Sequence, residues 1–407
     1  MKKTLTTLVV VLLPFVMSVS SFGAGFALYE YSAKGTAMGG ATVANGAEAA
    51  SLGNNPALIT ELEGTQIQIG MTAVVPDATT TVNGASRSLK NDVIPVPNFY
   101  ITHKWSDDIS LGLGGFTRYG LRGEYQDQIG WAGSALAYKM SLETFSLTPT
   151  IAIKVNEEFS MAMGLEAMII GFTQEAMGMP AIAATNYKLS GSGVNWGGNF
   201  SILYKPEWAE KWSFGALYRT KVKTDLTGRI RTGGADMSAF NLINADVTGS
   251  IVLPDSITAG LAFRPTEKWT LETGIVGTFW SSYDQILIQY IGDDAGRPVI
   301  RNLKNYKDTF RVNFGTEYKL NDTWAVRAGY VFDKSPINEK AMDTMVPVDD
   351  RHIASIGAGY STNDWTIDAY YGRIFGENLS GTSIKGETVK YSHGHSDLYG
   401  ITFGYKF

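Results

Sequence analysis

Phe310-Arg311-Val312-Asn313-Phe314-Gly315-Thr316-Glu317-Tyr318-Lys319-Leu320 alternates with a period of two. Its even positions are apolar apart from Thr316, and its odd positions are charged, polar or glycine. That is the pattern of a strand with two unlike faces. The chain ends the same way: Tyr399, Ile401, Phe403, Tyr405 and Phe407 share one face, and Gly400, Thr402, Gly404 and Lys406 the other. Alternation alone leaves two folds open. A soluble sandwich turns the apolar face inward, whereas an outer-membrane barrel turns it to lipid and keeps the polar face for the lumen.

The turns separate these folds. Six short charged turns recur, each with an aromatic: Trp105-Ser106-Asp107-Asp108, Asn156-Glu157-Glu158-Phe159, Trp208-Ala209-Glu210-Lys211-Trp212, Thr266-Glu267-Lys268-Trp269, Asn321-Asp322-Thr323-Trp324 and Asn363-Asp364-Trp365. They mark off a hairpin repeat of roughly 40–60 residues. Six of the nine Trp lie in or beside them. Trp favours a membrane interface because its ring is apolar while its N–H seeks water, so a Trp row beside the short turns reads as an aromatic girdle. Between these turns lie longer polar stretches at 77–92, 119–140, 171–192, 229–245, 291–305, 333–347 and 377–396. Short turns at one end and long loops at the other are the asymmetry of outer-membrane barrels. Six turns and seven loops join fourteen strands, so both ends of the barrel fall on the periplasmic side. The expected fold is all-β: a 14-stranded antiparallel transmembrane β-barrel spanning 63–407. The aromatic C-terminus suits recognition by the barrel assembly machinery.

Composition agrees. The 407 residues hold 45 Gly, 20 Tyr, 19 Phe and no Cys, and after the N-terminus no apolar run nears the ~20 residues of a spanning helix. A net charge of −5 argues against nucleic-acid binding, which relies on basic patches. Residues 1–23 read as an export signal: Lys2 and Lys3, an apolar core from Leu5 to Val19, and Ser21-Phe22-Gly23 before cleavage between Gly23 and Ala24. The location is the outer membrane of a Gram-negative cell.

Residues 24–62 differ from both neighbours. Gly and Ala dominate, bulk is confined to Phe26, Leu28, Tyr29 and Tyr31, and Asn54-Asn55-Pro56 makes a turn. So short a segment cannot bury a core of its own, but its small residues allow close packing inside a larger body. It is expected to plug the lumen as a hatch. Pro56 fixes φ and pushes Asn55 toward an extended backbone, from which the Asn55 side chain can cap the turn.

Phe26, the Gly/Ala-rich run and Asn55-Pro56-Ala57-Leu58 resemble the N-terminal hatch of the FadL/TodX (OmpP1) family of outer-membrane channels. The resemblance continues at Val96-Pro97-Asn98, Tyr119-Gly120-Leu121, Leu253-Pro254-Asp255, Asp308-Thr309-Phe310-Arg311, Phe332-Asp333-Lys334-Ser335-Pro336 and Val348-Asp349-Asp350-Arg351. It implies passive uptake of hydrophobic molecules, long-chain fatty acids first, with monoaromatic or other hydrocarbons as the alternative. It implies capture in an extracellular-loop groove, transfer to an inner pocket, hatch movement and sideways exit through the wall. Phe26, Leu28, Asn55, Pro56 and Ala57 are then the ligand-binding and hatch residues, with Phe26 at the inner pocket. Arg301 and Lys304 lie near a region where relatives hold a head group, and Gly171 stands where another basic residue is expected.

The alternation directs Arg118, Glu166, Arg219, Lys221, Glu272, Arg311, Glu317, Lys319, Arg327 and Asp368 into the lumen. A charge facing lipid costs ~2–4 kcal/mol at mid-bilayer. Inside, Arg118, Arg219, Arg311, Glu317 and Arg327 can pair with one another, hold the hatch or meet a ligand, and an Arg fork suits a carboxylate. Ile129, Trp131, Leu136 and Met140 in one loop, and Met177, Met179, Ile182 and Tyr187 in another, offer apolar surface for the groove. The expected partners are a hydrophobic small molecule, outer-membrane lipid with lipopolysaccharide, and the assembly machinery, around a monomer.

A general porin is disfavoured by the plug. An enzyme needs a nucleophile and base in contact, and the four His (His103, His352, His393, His395) show no such spacing. Ser392-His393-Gly394-His395 places two His on one strand face, too few nitrogens for a metal site. No catalytic residue, metal or cofactor is expected.

Overall fold

The computed structural model describes residues 25–347 and 349–407; the expected signal and its Gly23–Ala24 cleavage site lie outside them. Fourteen antiparallel strands form one closed sheet. Closure is made by Thr65–Val82, which pairs with Ile94–Lys104 on one side and with Thr388–Lys406 on the other, from Gln66 opposite Lys406 to Val82 opposite Val389. Five strands are broken partway up: Ile109–Phe116 resumes as Gly120–Glu124, Trp212–Arg219 as Val222–Thr232, Trp269–Thr278 as Gln285–Tyr290, and Ile300–Leu303 as Thr309–Lys319, while Ala245–Leu253 continues into Ser256–Thr266 past Pro254.

The short turns close as their residues dictate. Asn321 Oδ1 accepts from the Thr323 and Trp324 amides (2.9 and 2.8 Å), and Asn156 Oδ1 from those of Glu158 and Phe159 (2.9 and 2.8 Å). These side chains satisfy amides that turns this short leave without a backbone partner. The six girdle Trp are exposed.

Burial settles the polarity of the wall. Phe310, Phe314, Tyr318 and Leu320 are exposed, whereas Arg311, Asn313 and Glu317 are buried. Apolar side chains on the outside and charges within is the inverse of a soluble sandwich. The lumen itself departs from a uniformly polar interior. Along Lys139–Lys154 the inward residues run Met140 and Leu142, then Thr144, Ser146, Thr148 and Thr150. On neighbouring strands Ile170, Phe172, Leu226, Ile251 and Ile288 join Met140 and Leu142 in one buried apolar cluster. The extracellular half of the lumen is therefore oily, and the periplasmic half polar.

Residues 28–62 lie within that polar half, while Phe26 and Ala27 reach the apolar cluster. The segment carries three short helices, Ala33–Ala37, Ser51–Asn54 and Pro56–Glu61, packed against the strands. The fit depends on missing side chains. A Cβ on Gly215 would sit 1.9 Å from the Val43 carbonyl oxygen, and one on Gly329 would sit 2.1 Å from the Gly39 nitrogen. Gly39 also holds φ +65°, a left-handed conformation that β-carbons resist. Inner-wall glycines thus let the segment's backbone approach the wall backbone directly.

Gly215→Val is expected to wedge the segment off the wall at a cost of about 1–3 kcal/mol while the barrel still forms. Limited proteolysis of the folded, detergent-purified protein would read this as faster cleavage within residues 40–55; unchanged cleavage would count against the glycine seat.

Candidate functional site

The turn at Asn55 anchors the middle of the plug. Asn55 has an extended backbone (φ −156°, ψ 97°) and caps Pro56–Glu61, its Oδ1 accepting from the Ala57 amide at 3.0 Å. Its Nδ2 donates to Val43 O (2.6 Å) within the segment and to Ile202 O (2.9 Å) in the wall. Ser201 Oγ also accepts from the Ala57 amide (3.0 Å). One buried side chain thereby joins plug to plug and plug to barrel.

Inward charges make the other ties. Glu272 Oε1 accepts from the amides of Val43 and Ala44 (2.6 and 2.8 Å). Arg311 donates to Gly39 O at 3.3 Å, lies 4.3 Å from the centre of the Tyr29 ring, and faces Asp333, which also pairs with Arg351. Arg327 bridges Glu317 (2.6 Å) and Asp368 (2.5 Å). Arg118 pairs with Glu166 (2.5 Å), whose other oxygen accepts from Ser146 (2.6 Å). Arg219 differs: it is 3% exposed, donates through Nη2 to Leu52 O and Gly53 O (3.1 and 3.0 Å), and forms no ion pair among the described residues. Its Nε and Nη1 have no hydrogen-bond partner, and the Phe116 ring lies 5.1 Å away. The five lumen charges Arg118, Arg219, Arg311, Glu317 and Arg327 all face inward; the first four are buried and Arg327 is half-buried. Lys221 does not; next to inward Val222, it is exposed on the outer wall, because the chain break at Thr220 resets the alternation.

Phe26 reaches the boundary between the two halves of the lumen. Its ring is fully enclosed by Trp280 (4.7 Å between centroids), Tyr283 (5.0 Å) and Tyr119 (6.1 Å), each edge-on. Tyr306 extends the box. Sequence reading missed these aromatics because strand ends and breaks carry no period. Leu28 points elsewhere, into a cluster with Ile94, Val96 and Leu398.

Beside Phe26 the strand pairing of the barrel wall is interrupted. Ile94–Lys104 pairs with Ile109–Phe116 only from Phe99 opposite Gly115 downward, and pairing with the next strand resumes above at Leu89 and Tyr125. In between, residues 117–119 bend inward and bond to Thr144 instead: the Tyr119 amide donates to Thr144 Oγ1 (3.2 Å), which donates to Tyr119 O (2.6 Å). The plug takes the vacated edge. Leu28 N donates to Arg118 O (2.8 Å) and Gly120 N to Phe26 O (2.9 Å), pairing Ala27 with Tyr119 as antiparallel neighbours. The rim of the opening carries Ile94, Val96, Phe116 and Leu121, all buried.

Two further spaces flank the plug. Below it, a cavity of about 440 Å³ is lined by Lys34, Glu48, Gln68, Glu317, Arg327 and Asp368. Among the extracellular loops, a smaller one of about 140 Å³ is lined by Leu136, Tyr187, Ile300, Arg301, Met342 and Lys385. Of the loop residues expected to form an apolar groove, Trp131, Met140 and Met177 are buried beneath it, Leu136 and Tyr187 line it, and Ile129, Met179 and Ile182 are exposed. Lys304 is buried and tied to Asp343 (2.5 Å). Gly171 lies on the outer wall, not in the lumen, since Ile170 and Phe172 take the inward positions. His393 has φ +56° at a bulge, which removes it from the face of His395; among the described residues no metal-ligating cluster occurs.

The sequence matches, over residues 15–407, the family model described as outer membrane protein transport protein (OMPP1/FadL/TodX). It is 27% identical, over 96% of both chains, to the long-chain fatty acid transport protein of Escherichia coli K12. It is 24% identical, over 80% of this chain and 78% of the other, to outer membrane protein P1 of Haemophilus influenzae. Among solved structures, a Pseudomonas aeruginosa FadL homologue superimposes with a TM-score of 0.84 at 18% identity, covering 94% of this chain and all of the other. The Pseudomonas putida toluene transporter TodX gives 0.71 at 18% identity, covering 95% and 99%.

Glu272→Leu is expected to strand two buried amides, at about 1–3 kcal/mol for each group. Hydrogen exchange at Val43 and Ala44 should accelerate tenfold or more; protection equal to wild type would mean the carboxylate does not hold the plug.

Proposed function

Because this chain belongs to the OMPP1/FadL/TodX family of outer-membrane transport proteins, we propose that, among the hydrophobic compounds such channels carry, it takes up long-chain fatty acids. The family's members are transport channels rather than enzymes. The observation that supports a fatty acid over a hydrocarbon is Arg219. Burying a guanidinium without a carboxylate is costly, and its Nε and Nη1 each keep a donor that a carboxylate oxygen can accept in a charge-assisted bond. A hydrocarbon has no use for such a group. The E. coli relative, a long-chain fatty acid transport protein, points the same way.

The route we infer starts at the loop cavity beside Leu136 and Tyr187, descends the oily upper lumen to the aromatic box around Phe26, and leaves sideways. Straight passage would take an acyl chain through the charged cavity below the plug. The gap in the strand pairing beside Phe26, with its apolar rim, is the lower-energy exit. Residues 26–28 act as the gate, because they close the opening through only two backbone hydrogen bonds. Asn55, Pro56 and Ala57 serve as the fixed end about which the gate moves.

Cells lacking their own channel would be given this protein and tested with labelled oleate and, separately, toluene. Oleate uptake that falls at least about tenfold in Arg219→Met, with surface expression intact, is expected from loss of a charge-assisted pair. Toluene entry without oleate would move the protein to hydrocarbons, and entry of small polar solutes alone would make it a porin.

The gate has its own test. The Ala27–Tyr119 pair has the wide antiparallel geometry that suits a cross-link, and the chain has no other cysteine. Ala27→Cys with Tyr119→Cys should block oleate uptake when oxidised and restore it on reduction. Uptake unaffected by oxidation would place the exit elsewhere.

A further inference from the structure

The outer wall carries a second feature that uptake does not use. On the strands Lys139–Lys154, Phe159–Met177, Asn186–Tyr204 and Val222–Thr232, outward side chains change character in horizontal rows. Phe145, Ile169 and Val194 stand side by side, the last two well exposed to lipid. Two residues further out, Glu143, Gly171, Ser192 and Thr227 are neighbours, and above them Ser141, Thr173, Ser190 and Arg229. A row of Lys139, Glu175, Lys188 and Arg231 completes the series.

The middle rows are small, so the wall is concave there: a groove of about 630 Å³ runs across these strands, floored by Gly171, Gly191 and Gly228 and walled by hydroxyls. A Cβ built on Gly171 meets nothing within 4 Å. Above the groove the charges are unbalanced. Lys188 sits directly opposite Arg231, and like charges in that relation repel. Arg231 forms no ion pair among the described residues, and Lys188 reaches Glu175 only at 3.8 Å. The carboxylates nearby are engaged: Glu143 accepts from Ser141 (2.8 Å), Asp246 from Arg229 (2.5 Å), and Glu124 holds Lys139 (2.9 Å). An anion between Lys188 and Arg231 would relieve the repulsion.

We propose that this groove docks lipopolysaccharide, the phosphorylated glycolipid of the outer leaflet. The rows match its parts in order. Acyl chains lie along the Phe145–Ile169–Val194 row, the sugar hydroxyls bond to the serines and threonines in the groove, and a phosphate bridges Lys188 and Arg231. A phospholipid would leave the hydroxyl rows without partners, and free phosphate would leave the apolar row unused.

The test uses the full-length protein, delipidated in detergent, with native mass spectrometry and Kdo2-lipid A as the probe. One bound lipid per barrel is expected. Lys188→Gln with Arg231→Gln should weaken binding about fivefold for each charge removed. Gly171→Trp, whose Cβ meets nothing within 4 Å and whose ring would occupy the groove, should abolish it while heat-resistant folding and oleate uptake persist. Equal binding of the same lipid stripped of its phosphates, displacement by an equal concentration of phosphatidylglycerol, or wild-type binding by both variants would overturn the proposal.

Discussion

A backbone amide in hydrocarbon has no water to turn to, and each unpaired one costs several kcal/mol. That constraint closes the sheet through Thr65–Val82 and Thr388–Lys406. It also explains how the sheet can be opened in one place. Where residues 117–119 leave the ladder, Thr144 takes over one set of bonds and residues 26–28 of the plug take another. The wall is open to side chains but sealed to its own backbone groups. The plug thus completes the wall's ladder at the gap through its own backbone.

The rest of the plug is held by a different balance. Its own apolar area is small and is completed by the wall, Leu52, Leu58 and Ile59 packing with Tyr100, Phe116 and Leu203; backbone approach at glycines such as Gly215 and Gly329, and inward charges that accept from or donate to plug amides and carbonyls, add to this. Glu272, Asn55 and Arg311 fix its middle. The end bearing Phe26 is held mainly by ring packing in the aromatic box, which is non-directional and open to substitution by another apolar group. Rigid centre and exchangeable tip follow from the kind of interaction at each.

Much of this architecture could be read in the chain. Period-two alternation at 310–320, the Trp-marked turns and the seven long stretches between them gave the strand number and the orientation of the wall. The poverty of bulk between residues 24 and 62 pointed to a segment that needed a container, and Asn55-Pro56-Ala57 to its turn. The inward placement of Arg118, Arg219, Arg311, Glu317 and Arg327 followed from the cost of facing them to lipid. Lys221 went astray because a chain break shifts the alternation by one, and nothing in the local sequence marks that shift. Trp280, Tyr283 and Tyr306 escaped notice because they sit at a strand break, where no period applies.

The sequence by itself determined which face of each strand meets lipid, since that depends only on side chains two residues apart along one chain. It also determined that the N-terminal segment has no core of its own, a matter of composition. Tertiary structure alone decided which lumen charges neutralise one another, leaving Arg219 without a carboxylate among the described residues, because that depends on registers between strands far apart in sequence. It decided as well where the wall opens, because a missing rung belongs to two strands and a plug at once, and no single stretch of sequence carries it.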